Sequence, residues 1–396
     1  MFTDQPLFTS NFLSRSAAEQ LAAKYGTPLY VYDRASILRQ TQIALAIPAP
    51  FGLTVRYAMK ANPHPDVLRV LRQAGIKIDA SSGFEADLAL AAGFAPNDIL
   101  LTSQQLAHNL AELGEQGVHF VACSLRQLEA FGTLFPGKRV SVRLNSGMGS
   151  GHSRKVNVGG TTSSFGIWHE YIADIKKLAA RYHLTIERIH THIGSGTDPR
   201  VWDRAVDTTL SLVEQFYDAT IVDVGGGFKV GRLDGETSTD MVQVGNILRQ
   251  KLLEFAQRTG RKLHLEIEPG TFMVANAGEL LAQVDDIVDT GRQGYKFVKL
   301  NTGMTELLRP SLYAAQHPIA ILGDNPDYDN YVVVGHCCES GDLLTPDPAD
   351  PEKLSTRFLR KPRIGDLVLV GGCGAYAASM AAHGYNSFPR AREVMV

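Results

Sequence analysis

The sequence lacks the features that would direct a chain to a membrane or to nucleic acid. No apolar run reaches the roughly 18 residues that a membrane-spanning helix needs. The net charge is only −2 and no dense basic run occurs, so binding to nucleic acid or to an anionic membrane has no electrostatic support. The first residues lack a basic segment followed by an apolar core, so we expect no signal peptide.

Cysteine is scarce. The four cysteines are Cys123, Cys337, Cys338 and Cys373, and their spacing matches no metal-binding motif. We therefore expect free thiols, no metal and a cytoplasmic location, where thiols stay reduced. Repeats and low-complexity tracts are absent too, and 396 residues are enough for two domains.

Short apolar runs alternate with helical patterns between about residues 50 and 270. The predicted strands are residues 55–59, 76–81, 99–103, 119–124, 139–145, 186–193, 220–224 and 262–268. Eight strands that alternate with helices are what a (β/α)₈ barrel of the TIM type requires. A doubly wound open sheet is the second choice, which the missing glycine-rich dinucleotide motif after the first strand disfavours.

The pattern changes after about residue 280, where predicted strands follow one another without long helices. They are residues 281–288, 295–300, 331–335 and 366–371, with 28–32 as a further candidate near the N-terminus. We predict an α/β barrel domain over residues 35–280 and a second, mostly β domain (barrel or sandwich) made of 1–34 and 281–396. The glycine- and serine-rich stretch 146–164 is predicted to be a long loop at the active-site end of the barrel.

Lys60 ends the first predicted strand, on the catalytic face of such a barrel. Burial there would lower the pKa of its amine and keep it nucleophilic. Such an amine suits a Schiff base with a carbonyl cofactor, for which pyridoxal phosphate is the leading candidate. A lysine that extends its charge from a strand end into solvent is the alternative, and Lys60 alone does not decide between them.

Two glycine-rich segments end neighbouring strands, residues 194–196 and residues 225–227. Glycine lets backbone N–H groups approach an anion, and barrels of this kind often bind phosphate at these strand ends. Each segment taken alone is more often a simple turn.

Two further polar residues lie at the same end of the barrel. Glu268, before Pro269 and Gly270, would keep a pyridine ring protonated and strengthen it as an electron sink, with a salt bridge or a helix cap as the ordinary alternative. His192 has the position to stack on such a ring, although a strand histidine is more often a hydrogen-bonded core residue.

The last third of the chain carries other reactive groups. Cys338 and Glu339 place a thiol beside a carboxylate, which suits proton delivery and contact with a substrate amine. Arg309 and Tyr313 suit a carboxylate, and Tyr376 suits a phosphate. Taken singly, structural cysteines, a surface arginine and a core tyrosine explain these residues as well.

Together these segments resemble one family, the fold-type III pyridoxal-phosphate decarboxylases that include the ornithine and diaminopimelate decarboxylases. The resemblance covers almost the whole chain and rests on seven motifs in the same order, at residues 57–62, 192–196, 225–227, 268–270, 309–313, 338–342 and 374–376. It implies pyridoxal 5'-phosphate as cofactor, an amino-acid substrate, and a homodimer whose shared active sites the β domain completes. The resemblance implies no binding of nucleic acid, membranes or metals.

The resemblance also implies a role for each motif residue. Lys60 would carry the cofactor, His192 would stack on its ring and Glu268 would contact its pyridine nitrogen. The phosphate ligands would be Ser195, Gly226, Gly227, Gly270, the backbone N–H of Thr271, and Tyr376. The substrate ligands would be Arg309, Tyr313, Tyr376 and Glu339, and Cys338 of the partner subunit would donate the proton.

The implied reaction is the decarboxylation of meso-2,6-diaminopimelate to L-lysine and carbon dioxide, the last step of bacterial lysine biosynthesis. The loop at 151–160 resembles the bacterial form that acts on this free substrate. One position departs from the family, which usually has a carboxylate-binding arginine where this chain has Thr271. Either another cation replaces it, with Arg154 or Lys155 as candidates, or the substrate is ornithine, lysine, or a polyamine or siderophore precursor.

Two other classes stay open. A non-catalytic homologue that binds the cofactor is disfavoured by the intact Lys60, Glu268 and Cys338. A racemase with the same barrel is disfavoured because segment 338–342 does not resemble the corresponding segment of a racemase.

Overall fold

The computed structural model describes residues 10, 12–147, 159–192 and 196–396. The chain forms two compact units, and we number strands and helices in chain order. The first, called the barrel unit, holds Leu38–Lys229 and Ser238–Met273. The second, called the β unit, holds the residues up to Ile37, Val230–Thr237 and Val274–Val396. The domain boundaries at 35 and 280 stay predictions.

The barrel unit contains a closed sheet of eight parallel strands. They are β2 (Leu53–Ala58), β3 (Lys77–Ala80), β4 (Ile99–Leu101), β5 (His119–Ala122), β6 (Arg139–Asn145), β8 (Thr185–His190), β9 (Ile221–Asp223) and β10 (His264–Ile267). Pairing of β10 with β2 and of β5 with β6 closes the ring, and the short β7 (Ile167–Trp168) pairs with β6. The predicted barrel is confirmed.

Helices alternate with these strands. They are α2 (Arg34–Leu45), α3 (Pro65–Gln73), α4 (Gly83–Ala91), α5 (Leu110–Gln116), α6 (Leu125–Leu134), α7 (Ile172–Arg181), α8 (Pro199–Val213), α9 (Met241–Thr259) and α10 (Thr271–Val274). Short polar side chains begin several of them, because Ser82, Ser124 and Asp240 accept N–H groups of the first helical turn. None of the described helices has the length and apolar character that crossing a bilayer demands.

A charged cluster fills part of the barrel interior. Arg56 Nε donates to Glu266 Oε2 at 2.7 Å, and Arg188 Nη2 donates to Glu266 Oε1 at 3.1 Å. All three side chains are only 2–3% exposed. Burial by itself would raise the pKa of Glu266, but the two guanidinium groups lower it to about 2. The carboxylate therefore stays ionised and links β2, β8 and β10.

Replacing Glu266 with glutamine is expected to lower the free energy of unfolding by about 3–5 kcal/mol, because two buried guanidinium charges lose their counter-ion. The pKa of Glu266 in the folded state lies below the ordinary 4.5. The ionised Glu266 of the wild type therefore contributes fully to the free energy of unfolding above about pH 4.5, and this contribution is lost as the pH falls toward 2. Urea denaturation at several pH values measures both effects. The control is Glu187→Gln on β8, whose longer contacts are to Arg139 and His119. A loss below about 1 kcal/mol for Glu266→Gln would contradict the interpretation.

The β unit is built around one mixed sheet of eight strands. They are β1 (Leu29–Tyr32), β11 (Gly278–Asp289), β12 (Lys296–Leu300), β13 (Ile319–Ile321), β14 (Tyr328–Val334), β17 (Arg357–Arg360), β18 (Leu367–Val370) and β19 (Arg392–Met395). A small hairpin pairs β15 (Pro346–Asp347) with β16 (Asp350–Leu354), and the helices are α1 (Arg15–Tyr25) and α11 (Arg309–Tyr313). The N-terminal strand joins the sheet through β11 and β19. The predicted second, mostly β domain is confirmed.

Candidate active site

Lys60 lies just beyond β2, in the short helical turn Met59–Ala61. Its Nζ is 3.7 Å from Asp79 Oδ2 and donates to Ser81 Oγ at 3.3 Å. The side chain is 43% exposed, so the burial expected for this amine is wrong. The strand ends at Ala58, which leaves the lysine at the C-terminal end of the barrel. A neighbouring carboxylate, rather than burial, is the main electrostatic feature around its amine.

Glu268 follows β10 and is buried. Its Oε2 lies 3.3 Å from His190 Nε2, whereas its Oε1 has no hydrogen-bond partner among the described residues. Burial and the negative charge of Asp79 raise the pKa of Glu268 to about 8, against the opposing effect of Lys60. The carboxyl group is therefore mostly protonated at neutral pH, and among the described residues it forms no ion pair with a lysine or an arginine.

Asp223 and His190, the last residues of β9 and β8, lie beside Glu268 but were not among the predicted site residues. Asp223 is fully buried and its Oδ1 accepts the N–H of Gly225 at 2.8 Å. Burial and the charge of Glu268 raise the pKa of Asp223 well above its ordinary value, and burial lowers the pKa of His190 to about 4. One ligand atom from each of the three residues lies within 4.8 Å of the others. Three titratable groups thus lie close together at this end of the barrel.

The glycines at 225–227 allow close packing against His192 and Glu268. A Cβ atom on Gly225 would lie 2.8 Å from His192 Nδ1, and one on Gly226 would lie 2.3 Å from the carbonyl oxygen of Glu268. Gly225 and Gly227 also have positive φ angles of 72° and 100°. A side chain at these positions would separate the end of β9 from the end of β10.

Arg143 on β6 is another buried polar residue that the sequence did not reveal. Its guanidinium carbon lies 5.1 Å from the centre of the Phe165 ring, and its Nη2 has no partner among the described residues. Burial and the positive charges of Arg143 and Lys60 lower the pKa of His192 well below its ordinary value. The imidazole is therefore neutral at neutral pH, which suits stacking on an aromatic ring.

In the β unit, three predicted ligands come together. Helix α11 begins at Arg309 and ends at Tyr313, and the guanidinium carbon lies 6.0 Å from the centre of the tyrosine ring. Burial lowers the pKa of Arg309, and the nearby phenols of Tyr376 and Tyr313 act in the opposite direction. Tyr376 has a φ of +54°, which holds it in the left-handed region that few side chains adopt.

Cys338 and Glu339 are exposed on the loop that follows β14. The N–H of Cys338 donates to Asn386 Oδ1 and the N–H of Cys337 donates to Asp342 Oδ2, both at 2.8 Å. Burial and the Asp342 carboxylate raise the pKa of Cys337 to about 12. Two backbone hydrogen bonds thus fix the loop at Cys337 and at Cys338.

Similarity to known proteins agrees with this set of residues. A family model described as the pyridoxal binding domain of pyridoxal-dependent decarboxylases matches residues 34–275. The diaminopimelate decarboxylase of Escherichia coli (strain K12) is 34% identical over 405 residues, covering 99% of this chain and 93% of that protein. The chain belongs to the pyridoxal-dependent decarboxylases. The diaminopimelate decarboxylase of Streptomyces coelicolor is also 34% identical, over 95% of this chain and 86% of its own length.

Solved structures of decarboxylases have the same fold. A crystal structure of diaminopimelate decarboxylase superposes with a TM-score of 0.90 at 33% identity and covers 98% of this chain and 94% of that chain. The Helicobacter pylori diaminopimelate decarboxylase complexed with L-lysine superposes with a TM-score of 0.84 at 25% identity, covering 96% and 93%. The family predicted from the motifs is confirmed.

Pyridoxal phosphate is the cofactor of these decarboxylases, and the barrel residues fit it. Glu268 offers a buried oxygen, Oε1, without a hydrogen-bond partner among the described residues, and its carboxyl group would be ionised at neutral pH by a nearby positive charge. A protonated pyridine nitrogen supplies both the donor and the charge. The exposed amine of Lys60 is accessible to an aldehyde, and His192 offers a neutral ring.

The barrel unit therefore brings Lys60, His192 and Glu268 together with the glycines at 225–227. Gly270 joins them, because a Cβ atom there would lie 3.2 Å from Ala61 in the turn that carries Lys60. Ser195, Arg154 and Lys155 lie outside the described residues. The ligand roles of all these side chains stay predictions.

Proposed function

We propose that this decarboxylase converts meso-2,6-diaminopimelate into L-lysine and carbon dioxide. The observation that carries the proposal is 34% identity to the Escherichia coli diaminopimelate decarboxylase over nearly the full length of both chains. The segments around Arg309 and Cys338, which in the family accompany this substrate, support it. The related Helicobacter pylori enzyme has been solved with L-lysine, the product of this reaction.

Each barrel residue has a distinct task in the proposal. Lys60 would hold the cofactor through its amine, His192 would lie against the ring, and Glu268 would accept the pyridine N–H. The bound cofactor supplies an electron sink for the pair that the departing carboxylate leaves behind. Asp223, whose pKa is raised well above its ordinary value, would hold the proton that the two neighbouring carboxyl groups share and so leave Glu268 ionised.

The phosphate would be bound mainly by backbone N–H groups. Gly226, Gly227, Gly270 and Thr271 would donate them, with the hydroxyl groups of Ser195 and Tyr376 in addition. Arg309, Tyr313, Tyr376 and Glu339 would position the substrate. Cys338 of the partner subunit would deliver a proton to the carbon that lost its carboxyl group.

Turnover of three substrates tests the function. We expect the enzyme loaded with pyridoxal phosphate to release carbon dioxide from meso-diaminopimelate with a kcat/KM roughly 100-fold or more above the values for ornithine and lysine. Thr271 is the observation that favours the second candidate, a related decarboxylase of ornithine, lysine or a polyamine or siderophore precursor. Faster turnover of one of those amino acids would establish that candidate. Bound cofactor without carbon dioxide release would indicate a non-catalytic homologue.

Replacing Cys338 with alanine is expected to lower kcat by roughly 10²- to 10⁴-fold, because the proton donor is lost. The matched control is Cys337→Ala, which removes the adjacent thiol, whose pKa is raised to about 12. We expect the control to keep kcat within about threefold of wild type. Equal losses in the two variants would assign the effect to the loop rather than to the Cys338 thiol.

A mixture of two inactive variants tests the homodimer with shared sites. If Cys338 acts at the active site of the partner subunit, mixing Lys60→Ala with Cys338→Ala protein creates heterodimers with one intact site. Random exchange of subunits then restores about one quarter of wild-type activity. Absence of any recovery after verified subunit exchange would contradict shared sites.

We also propose a cytoplasmic location. All four cysteines lie in the described ranges and each is a free thiol, which fits a reducing compartment.

A further inference from the structure

Arg232 lies on Val230–Thr237, the short segment of the β unit that follows the glycine triplet in the sequence. Its Nε donates to the carbonyl oxygen of Gly372 at 3.1 Å. A Cβ atom on Gly372 would lie 2.7 Å from Arg232 Cδ, so the arginine packs directly on this glycine, whose φ is +66°. The Glu236 carboxylate accepts the backbone N–H of Arg232 at 2.8 Å rather than its guanidinium. The side chain is thus fixed by packing and by one carbonyl group.

Arg232 and Arg309 converge on the same two groups. The positive charges of both arginines act on His317 and on Cys373. His317 Nδ1 and Cys373 Sγ are 3.8 Å apart. Arg232 Nη2 and Arg309 Nε are shielded from solvent and have no hydrogen-bond partner in the described ranges. Two guanidinium groups with unused donors therefore lie close together.

The Glu236 carboxylate acts on Arg232 only through space and bonds its backbone N–H, not its guanidinium group. Burial raises the pKa of Cys373 to about 12, and burial with the two arginines lowers the pKa of His317 well below its ordinary value, so both groups are neutral. Burial and the charge of Arg309 lower the pKa of Arg232 to about 9, which leaves it positive at neutral pH. Within the part of the chain that the structure describes, neither arginine forms an ion pair. A pair of half-buried cations with free donors favours binding of an anion, and a planar carboxylate matches the fork of a guanidinium.

We propose that Arg232, together with Arg309, binds the carboxylate that the substrate keeps after decarboxylation. This inference rests on the proposed function, in which the substrate carries a second carboxylate. It assigns the task of the arginine that is missing at Thr271 to Arg232, in place of Arg154 or Lys155. Tyr313 and Tyr376 contact or adjoin Arg309 in the same unit, so Arg232 extends an existing group of predicted substrate ligands.

Equilibrium binding to the enzyme loaded with pyridoxal phosphate tests the assignment without turnover. The probes are L-lysine, which has the retained carboxylate, and cadaverine, which has the same chain and two amines but no carboxylate. Arg232→Met is expected to raise the Kd of L-lysine roughly 10- to 100-fold and to leave that of cadaverine within about threefold. The KM for meso-diaminopimelate should rise with the Kd of L-lysine.

The matched control is Arg292→Met, an exposed arginine of the same unit, which should change neither Kd. If Arg232→Met does not fold, Arg232→Lys replaces it, with a smaller loss that is again selective for L-lysine. Equal weakening of both probes would show that Arg232 only supports the backbone at Gly372, and unchanged binding would exclude it as a ligand. Either result overturns the assignment.

The two proposals fail in different ways. Turnover of meso-diaminopimelate that Arg232→Met does not affect would keep the function and overturn the role of Arg232. Suppose instead that the enzyme prefers L-lysine to cadaverine, loses this preference in Arg232→Met, and does not turn over meso-diaminopimelate. That result would keep the role of Arg232 and overturn the function.

Discussion

Replacing Lys60 with alanine is expected to abolish the visible absorbance of covalently held cofactor and to lower turnover by at least roughly 10³-fold. The amine of Lys60 is accessible and lies at the end of the barrel where Glu268 and the glycines at 225–227 also lie. No other described lysine occupies that end of a barrel strand with a buried carboxylate beside it. Absorbance spectra of the purified protein and release of carbon dioxide measure the two effects.

Lys77→Ala is the matched control for Lys60→Ala. Lys77 belongs to the same barrel, is 39% exposed compared with 43% for Lys60, and its Nζ lies 3.1 Å from Asp98. Each substitution removes one ion pair. The Lys77 pair is partly exposed on both sides, so its loss is expected to change stability by no more than about 1 kcal/mol, whereas Lys60→Ala also leaves the buried Asp79 carboxylate without this partner. Turnover in Lys60→Ala above about a tenth of the wild-type rate, or equal losses in the two variants, would end the assignment of Lys60 as the covalent residue.

The barrel was predictable from the sequence because each strand is a short apolar run between helical patterns. The exact end of a strand was not predictable in this way. The run that contains Lys60 stays apolar through Met59, but the parallel pairing of β2 stops at Ala58 and the chain turns. The position of Lys60 at the C-terminal end followed from the pattern, whereas its exposure depends on where the backbone leaves the sheet.

The residues that surround Glu268 show another limit. His190 and Asp223 are the last residues of β8 and β9, so the criterion that selected Lys60 and Glu268 also selects them. Arg143 and Asp79 have no such signal, because a charged residue in a strand is as often on the outer face. Their burial near Glu268 becomes visible only once the barrel is closed.

In the β unit, the strands with alternating apolar residues were predictable and the others were not. Strands β17 and β19 contain mostly exposed or half-buried side chains, including Arg357, Arg360 and Arg392, so they lack the expected apolar pattern. Arg232 gives no local signal either. Its significance comes from contact with Gly372 and from proximity to Arg309, which are 140 and 77 positions away in the sequence.

The second large effect is expected for Glu268→Gln, which should lower kcat by roughly 10²- to 10⁴-fold while the cofactor remains bound. A neutral amide does not stabilise a protonated pyridine nitrogen, so the ring loses much of its capacity to accept the electron pair. Lys60 is unchanged in this variant, so the visible absorbance of the cofactor should persist. Loss of the cofactor along with activity would assign Glu268 to binding rather than to the electronic state of the ring.

The cofactor-free protein provides an independent test of Glu268. Its folded pKa of about 8 lies above the ordinary 4.5, so between these pH values the folded state holds a proton that the unfolded state has lost. This contribution to stability is complete below about pH 4.5 and is lost as pH rises through 8, with a slope of at most about 1.4 kcal/mol per pH unit. Glu268→Gln should flatten the decline, with part of it remaining because Asp223 titrates in the same direction. Glu187→Gln, on β8 but in contact with Arg139 and His119, should keep the full slope. If both variants keep it, the buried carboxyl group of Glu268 is not the group that links folding to pH.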